Sequence, residues 1–190
     1  MPIILDGTKG ETFPSWTTGT RPATPNTGQT GYNTTLNTLE VYNGTTWEPL
    51  SNGPAFSAYA GAGTSIPNTS ATKIAFNTTE FDTNSNYSTA NSRFTVTIPG
   101  IYQISATINF GGYYAYANPY IYKNNALSKT GYSGGTTNSS SGANYGVSAI
   151  LNLVAGDYIE IFVNQSSGGT VTSASGQTNT YFQGFFVRNV

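Results

Sequence analysis

Two long segments of this chain alternate between apolar and polar residues. In "GIYQISATINF", residues 100 to 110, the even positions from Tyr102 to Phe110 are apolar and the odd positions from Gln103 on are polar. In "NYGVSAILNLV", residues 144 to 154, apolar side chains occupy the odd positions from Tyr145 to Leu153. Because successive side chains of a strand point to opposite faces, both patterns predict antiparallel strands with one buried face.

Further short apolar stretches predict more strands. They are "PAFSAYA", "TKIAF", "SRFTV", "NPYIYKN", "DYIEIFVNQ" and the closing "TYFQGFFVRNV". We count about eight to ten strands and no convincing amphipathic helix. The prediction is an all-β fold, an antiparallel two-sheet sandwich of the jelly-roll type.

The first fifty residues have a different character. They begin with a stretch rich in proline and glycine that shows no periodicity, which is typical of an extended segment. The Asn43-Gly44 pair then lies between Leu39 and Trp47, and Asn-Gly favours a tight hairpin turn. The predicted domains are an extended attachment arm over residues 1–30, a small β-hairpin collar over 31–53 and a jelly-roll head over 54–190.

Charge excludes several classes of partner. Charged residues are 8% of the chain and the formal net charge is −1. The basic residues are scattered from Lys9 to Arg188, so no basic stripe is present for nucleic acid or for an anionic membrane surface. The apolar run "PIIL" is too short for a signal peptide or a membrane span. We expect a protein made in a cytoplasm, with no nucleic-acid partner and no membrane insertion.

The chain has few residues of the types that catalyse reactions. The chain contains no Cys and no His, which excludes thiolate or imidazole nucleophile systems and the common zinc sites. The close carboxylate pairs are Glu80 with Asp82 and Asp157 with Glu160. Alternation puts Glu160 opposite the apolar residues of its strand, where we expect it to be solvated, and Asp157 lies in a turn where it should bond nearby backbone. We therefore expect neither an enzyme nor a cofactor.

The spacing of aromatic residues between positions 76 and 102 resembles the signature of the globular head of complement C1q, a trimeric jelly roll related to tumour necrosis factor. The chain departs from that signature where Ile104 and Ala106 replace aromatic residues, and Ala106 should leave a gap that a neighbour fills. The matching residues are Phe76, Asp82, Tyr87, Phe94, Gly100 and Tyr102. The resemblance implies a homotrimer, with core or inter-subunit packing by Phe76, Tyr87, Phe94, Tyr102, Phe182 and Phe185.

Calcium is an alternative that this resemblance raises, since some relatives bind it near the trimer axis. A calcium site needs six to eight oxygen ligands. The sequence has no cluster of closely spaced aspartates, so a site would need backbone carbonyls or three-fold repetition of Asp82 or Asp157. We assign no metal site.

A tyrosine-rich stretch, "FGGYYAYANPYIYKNN" (residues 110–125), is the best candidate for ligand binding. Exposed tyrosine beside Asn and Gly suits carbohydrate or protein surfaces, because the ring stacks while the hydroxyl forms hydrogen bonds. The alternative is packing of these side chains across the subunit interface. The candidate ligand-binding residues are Tyr113, Tyr114, Tyr116 and Tyr120, in a predicted loop.

The segment "GTRPATPNTGQTGYNTTLNTLEVYNGTTWEPL" resembles a short segment of bacteriophage tail-fibre and virion structural proteins. The residues that carry it are Arg21, Pro22, Pro25, Gly28, Tyr32, Asn33, Thr34, Leu39, Glu40, Val41, Tyr42, Asn43, Gly44 and Trp47. The resemblance implies a phage virion protein made in the host cytoplasm. It would attach to other virion structural proteins through residues 1–20.

Two functions fit a virion protein of this layout. The first is host-cell adhesion by a trimeric tail-fibre tip or head fibre that recognises a cell-surface glycan or protein. The alternative is a capsid decoration (cement) protein that stabilises the head. The sequence does not choose between a tail and a head location.

Overall fold

The computed structural model describes residues 4–6, 10–50, 53–110, 116–132 and 143–190. The chain divides into two compact units, which we call the amino-terminal unit (Met1–Asn52) and the head (Gly53–Val190). The strands of the amino-terminal unit are β1 Ile4–Asp6, β2 Gly10–Thr12, β3 Ser15–Trp16, β4 Thr30–Asn33, β5 Thr38–Tyr42 and β6 Trp47–Pro49, with a 3-10 helix at Thr18–Thr20.

The described strands of the head form two main antiparallel sheets. In chain order they are β7 Ala55–Tyr59, β8 Ser65–Ile66, β9 Thr72–Lys73, β10 Thr78–Asp82, β11 Tyr87–Ser88, β12 Arg93–Thr95, β13 Gly100–Phe110, β14 Ala117–Lys123, β15 Ala126–Thr130, β16 Ala143–Leu153, β17 Tyr158–Gln165, β18 Val171–Thr172 and β19 Tyr181–Arg188. Sheet I has the order β10-β7-β19-β13-β16. Sheet II has the order β11-β12-β17-β14-β15, with β9 also on β17. The predicted all-β jelly-roll sandwich is confirmed.

The two long alternating segments are the strands β13 and β16, which pair along their whole length from Gly100↔Leu153 to Phe110↔Ala143. Their apolar positions face the interior. Ala106 lies between two larger buried neighbours, Val147 on β16 and Phe182 on β19, which accounts for the tolerance of a small residue there.

Aromatic rings bridge the two sheets at the centre of the head. Phe56 on β7 stacks on Phe94 on β12 with a centroid distance of 4.5 Å, and Phe182 on β19 meets Phe56 edge-on at 4.8 Å. All three side chains are buried. Each such burial contributes about 1.5–3 kcal/mol, so this group is a large part of what holds the sheets together.

The spaced residues of the C1q-like signature build the approach to β13. The carboxylate of Asp82 accepts hydrogen bonds from the backbone N–H groups of Asn86 (3.1 Å) and Tyr87 (2.8 Å), which fixes the turn after β10. The Tyr87 hydroxyl donates to the Phe76 carbonyl at 2.8 Å. A side chain at Gly100 would place its Cβ 2.5 Å from the Arg188 carbonyl oxygen, so only glycine fits there.

The amino-terminal unit corrects the predicted arm. Residues 1–30 were expected to be extended, yet β1 pairs with β2, and β3 pairs in parallel with β4, which begins at Thr30. Together β3, β4, β5 and β6 form a four-stranded sheet. The cause is Trp16, which is buried against Gly31, where a Cβ would come within 2.1 Å of the indole ring. Asn43-Gly44 lies between β5 and β6, which pair antiparallel.

A buried carboxylate organises this small unit. Glu40 is fully buried and accepts hydrogen bonds from Arg21 (Nη2 2.7 Å, Nε 2.9 Å), from Asn33 Nδ2 and from the Trp16 indole N–H. Burial alone would raise the pKa of Glu40, but these hydrogen bonds and the Arg21 charge outweigh it and hold the pKa below its ordinary value. Several residues of the phage-like segment are therefore structural.

Candidate functional site

The outward face of sheet I carries large apolar side chains at the surface. Four of them are between 46% and 64% exposed: Phe81, Ile150, Phe185 and Val187. Gln103 on the central strand β13 pairs with Ile150 on β16 and with Phe185 on β19. These three outward side chains therefore lie in one row across the sheet. A groove of about 270 Å³ runs beside this row, lined in part by Phe81, Gln103 and Phe185. Exposed apolar groups gathered in this way mark an interaction surface.

The outward face of sheet II has a different chemistry. Along β14, Asn118, Tyr120 and Tyr122 alternate with buried residues, and the exposed Tyr116 precedes the strand. Across on β17, Asn118 pairs with Asn164, Tyr120 with Phe162 and Tyr122 with Glu160. Tyr122 and Phe162 stack at 4.2 Å. This face therefore combines aromatic rings with amide groups.

A small cavity lies at one end of the sheet II face. Its volume is about 210 Å³, and its lining residues are Thr69, Tyr116, Asn118, Asn164, Gln165 and Ser166. Gln165 is buried and fixed by the chain, because its amide N–H donates to the carbonyls of Ile66 and Gly169 and its oxygen accepts from Ser167. Within the part of the chain that the structure describes, the side chains of Asn118 and Asn164 form no hydrogen bond.

Glu160 corrects one expectation. It does lie opposite the apolar residues of β17, but it is only 1% exposed instead of solvated. Arg93 (2.8 Å) and Lys73 (3.2 Å) form ion pairs with it, and the Arg93 guanidinium lies 3.8 Å from the centroid of the Tyr158 ring. Two cations pair with the carboxylate, and one of them packs on the Tyr158 ring, which makes burial of the charge possible.

Asp157 is also held by the fold. Its carboxylate binds Lys123 Nζ at 2.7 Å and accepts from Asn124 (2.6 Å) and the Val154 N–H (2.9 Å), as its turn position predicted. Burial alone would raise the pKa of Asp157, but these contacts outweigh it and lower the pKa. The oxygens of Asp82 and Asp157, the two residues considered for calcium, are thus engaged in hydrogen bonds within one chain.

The described residues offer neither a metal-binding cluster nor a membrane-spanning helix. No group of three or more Asp, Glu, His or Cys side chains comes close enough there to hold a metal ion. Nor does any described helix have the length and hydropathy needed to cross a membrane.

The sequence-predicted site residues fall in different places. Tyr113 and Tyr114 lie outside the described residues. Tyr116 is 55% exposed at the cavity, and Tyr120 is part of strand β14, not of a loop. Of the predicted packing residues, Phe76, Phe94, Tyr102 and Phe182 are fully buried, Tyr87 is partly buried against the core and Phe185 is 51% exposed on sheet I.

Sequence reasoning missed Asn118, Asn164, Phe81, Ile150 and Val187. Alternation could have indicated the outward direction of Ile150 and Val187. The meeting of Asn118 with Asn164 depends on the pairing of β14 with β17, two strands far apart in sequence, and no local signal reports it.

The head is a jelly-roll module whose sheet I has an apolar outward face and whose sheet II has an outward face of aromatic and amide groups. A family model described as the C1q domain matches residues 55–187. The chain belongs to the C1q domain family. Domains of the C1q and tumour necrosis factor families form homotrimers and are typically binding modules and not enzymes.

Several solved structures share this fold. The globular domain of zebrafish complement 1qA protein has a TM-score of 0.54 at 19% identity, covering 72% of this chain and 99% of that one. Murine APRIL has a TM-score of 0.57 at 10% identity (72% and 100%). Eiger TNF from S. frugiperda has a TM-score of 0.54 at 11% identity (73% and 96%). At these identities the likeness shows the fold. A comparison with curated protein sequences finds no significant match.

Proposed function

We propose that this chain is a homotrimeric surface protein of a bacteriophage particle, a tail-fibre tip or head fibre that binds the host-cell surface through its head. The observation that carries the proposal is the apolar outward face of sheet I. Two further copies of the chain are its natural occupants, because domains of this family form homotrimers. Three identical binding surfaces then turn weak single contacts into avidity.

The amino-terminal unit supports the virion part of the proposal. It carries the segment that resembles phage tail-fibre proteins, and residues 1–20 would provide the attachment to other virion proteins. A groove of about 610 Å³ in this unit is lined in part by Phe13, Pro14, Trp16 and Pro22. Aromatic and proline side chains around a groove suit a protein partner.

Substitution on sheet I tests the assembly. The wild-type protein should have the mass of three 20.1 kDa chains, about 60 kDa, by light scattering. Phe185→Glu should give monomers, since it would bury an unpaired charge at each subunit contact. The matched control is Leu127→Glu on β15 of sheet II, where the side chain is 54% exposed and the trimer should persist. A wild-type protein of one-chain mass would overturn the proposal.

Immunogold labelling of intact particles with antibody against residues 54–190 tests the location. Gold at fibre tips is the expected result. Gold spread over the capsid would contradict adhesion at a fibre tip and would favour the alternative function, capsid decoration. A variant that begins at Thr12 keeps β3 to β6, and it should form trimers yet fail to join the particle if residues 1–11 contribute the attachment.

A further inference from the structure

The ligand-binding surface of the head can be narrowed to the cavity on sheet II. This step rests on the proposed function, because the trimer would occupy the outward face of sheet I. Sheet II forms the other layer of the sandwich, so its outward face points the opposite way. Its exposed Tyr116 ring, and the amides of Asn118 and Asn164, which form no hydrogen bond with other described residues, are then available to a ligand.

The geometry of the cavity is fixed by paired strands. Asn118 and Asn164 stand directly opposite each other in the β14–β17 ladder, and their side chains lie on the outward face. The chain after β17 is tied back by a hydrogen bond from the Ser166 N–H to the Tyr116 carbonyl at 3.0 Å. The buried amide of Gln165 anchors the same segment. A site with this support loses little conformational entropy when a ligand binds.

The chemistry of the lining points to a sugar. The apolar face of a pyranose can stack on the Tyr116 ring, while each amide offers both a donor and an acceptor to neighbouring hydroxyl groups. None of the six lining residues is charged, so the matching ligand is neutral. The volume of about 210 Å³ is below the range of roughly 300–1,000 Å³ that drug-sized ligands occupy, and it suits one ring.

A peptide ligand fits this surface less well. Strand addition needs a free edge, yet β14 pairs with β15 and β17 on its two sides, and β17 is likewise paired on both. An anchoring side chain needs an apolar pocket, whereas each of the six residues that line this cavity carries an amide or a hydroxyl group. We propose that Tyr116, Asn118 and Asn164 form a binding site for one neutral pyranose ring of a cell-surface glycan.

Saturation-transfer NMR and calorimetry on the full-length protein test this site. The probes are the methyl glycosides of glucose, galactose, mannose and N-acetylglucosamine, with methyl N-acetylneuraminic acid as the charged comparison. At least one neutral glycoside should bind. Tyr116→Ala and Asn164→Ala should each weaken its binding by about tenfold, the size expected for loss of one good contact. Tyr116→Phe, which keeps the ring, should retain binding.

The matched control is Tyr132→Ala, which removes a tyrosine that is 78% exposed outside the cavity lining and should leave affinity unchanged. Three results would each overturn the inference: no neutral glycoside binds, the charged sugar binds most strongly, or Tyr132→Ala weakens binding as much as Tyr116→Ala. A trimer that binds no sugar would contradict this inference alone. A monomer that binds sugar would contradict the proposed assembly alone.

Discussion

The hydroxyl of Tyr87 links two parts of the signature that are distant along the chain. It donates to the Phe76 carbonyl, while the Tyr87 ring packs against Phe56 with a centroid distance of 5.2 Å. Burial raises the pKa of Tyr87 well above its ordinary value, so the group stays a neutral hydrogen-bond donor. Packing and hydrogen bonding together explain why tyrosine, and not phenylalanine, stands at this position.

We predict that Tyr87→Phe lowers the free energy of unfolding of the head by about 1 kcal/mol, because the Phe76 carbonyl loses its partner while the ring is kept. Urea unfolding followed by far-UV circular dichroism at fixed protein concentration measures this change. Tyr132→Phe, at an exposed position, should leave the midpoint unchanged. Equal midpoints for Tyr87→Phe and the wild type would show that the hydroxyl contributes nothing.

The resemblance to the C1q signature implied core or inter-subunit packing for Phe76, Phe94 and Tyr102, which are buried in the single chain. It did not distinguish Phe185 from Phe186. These neighbours point to opposite faces of β19, and only the register with β13 decides which is buried. Phe185 pairs with the outward Gln103, and Phe186 pairs with the inward Tyr102. Register across strands depends on long-range pairing, which a local pattern does not contain.

At the scale of elements, pattern length decided what could be predicted. The strands β13 and β16 each have eleven residues, so their alternation was clear. The strand β3 has two residues and a single buried side chain, Trp16, which gives no period to recognise. The sheet of the amino-terminal unit depends instead on the contacts of Glu40 with Trp16, Arg21 and Asn33. The segment that resembles phage proteins includes Arg21, Asn33 and Glu40, but the sequence does not show that their side chains meet.

Acid should unfold the amino-terminal unit. The pKa of Glu40 is lower in the folded chain than in the unfolded chain, so the unfolded state takes up the proton first as pH falls. The stabilisation from Glu40 is complete above the ordinary Glu pKa of about 4.3 and is lost as pH falls through the lower folded value. Both tryptophans of the chain, Trp16 and Trp47, lie in this unit, so their fluorescence reports its unfolding specifically.

The control for this titration is Glu40→Gln, which removes the titrating group. Its fluorescence should be less dependent on pH below about 4, although the variant is less stable because Arg21 loses its charged partner. An identical acid transition in Glu40→Gln and the wild type would assign the effect to another carboxylate.

At the scale of the whole molecule, we propose separate roles for the two sheets of the head. Apolar side chains on sheet I favour association of three chains, and amides and tyrosines on sheet II favour a polar ligand. The sequence predicted the trimer through resemblance to the C1q family, and membership in that family is now shown over residues 55–187. The different chemistry of the two outward faces became visible only from the pairing order.

The most direct test of this division is cysteine labelling, which is simple because the chain has no cysteine of its own. Ile150→Cys on sheet I and Leu127→Cys on sheet II replace side chains that are 64% and 54% exposed in the single chain. Alkylation rates of the two native proteins are compared with their rates in denaturant. Protection of Cys at position 150 with rapid labelling at position 127 is the predicted result. Equal rates at both positions, or protection at 127 alone, would contradict assembly through sheet I.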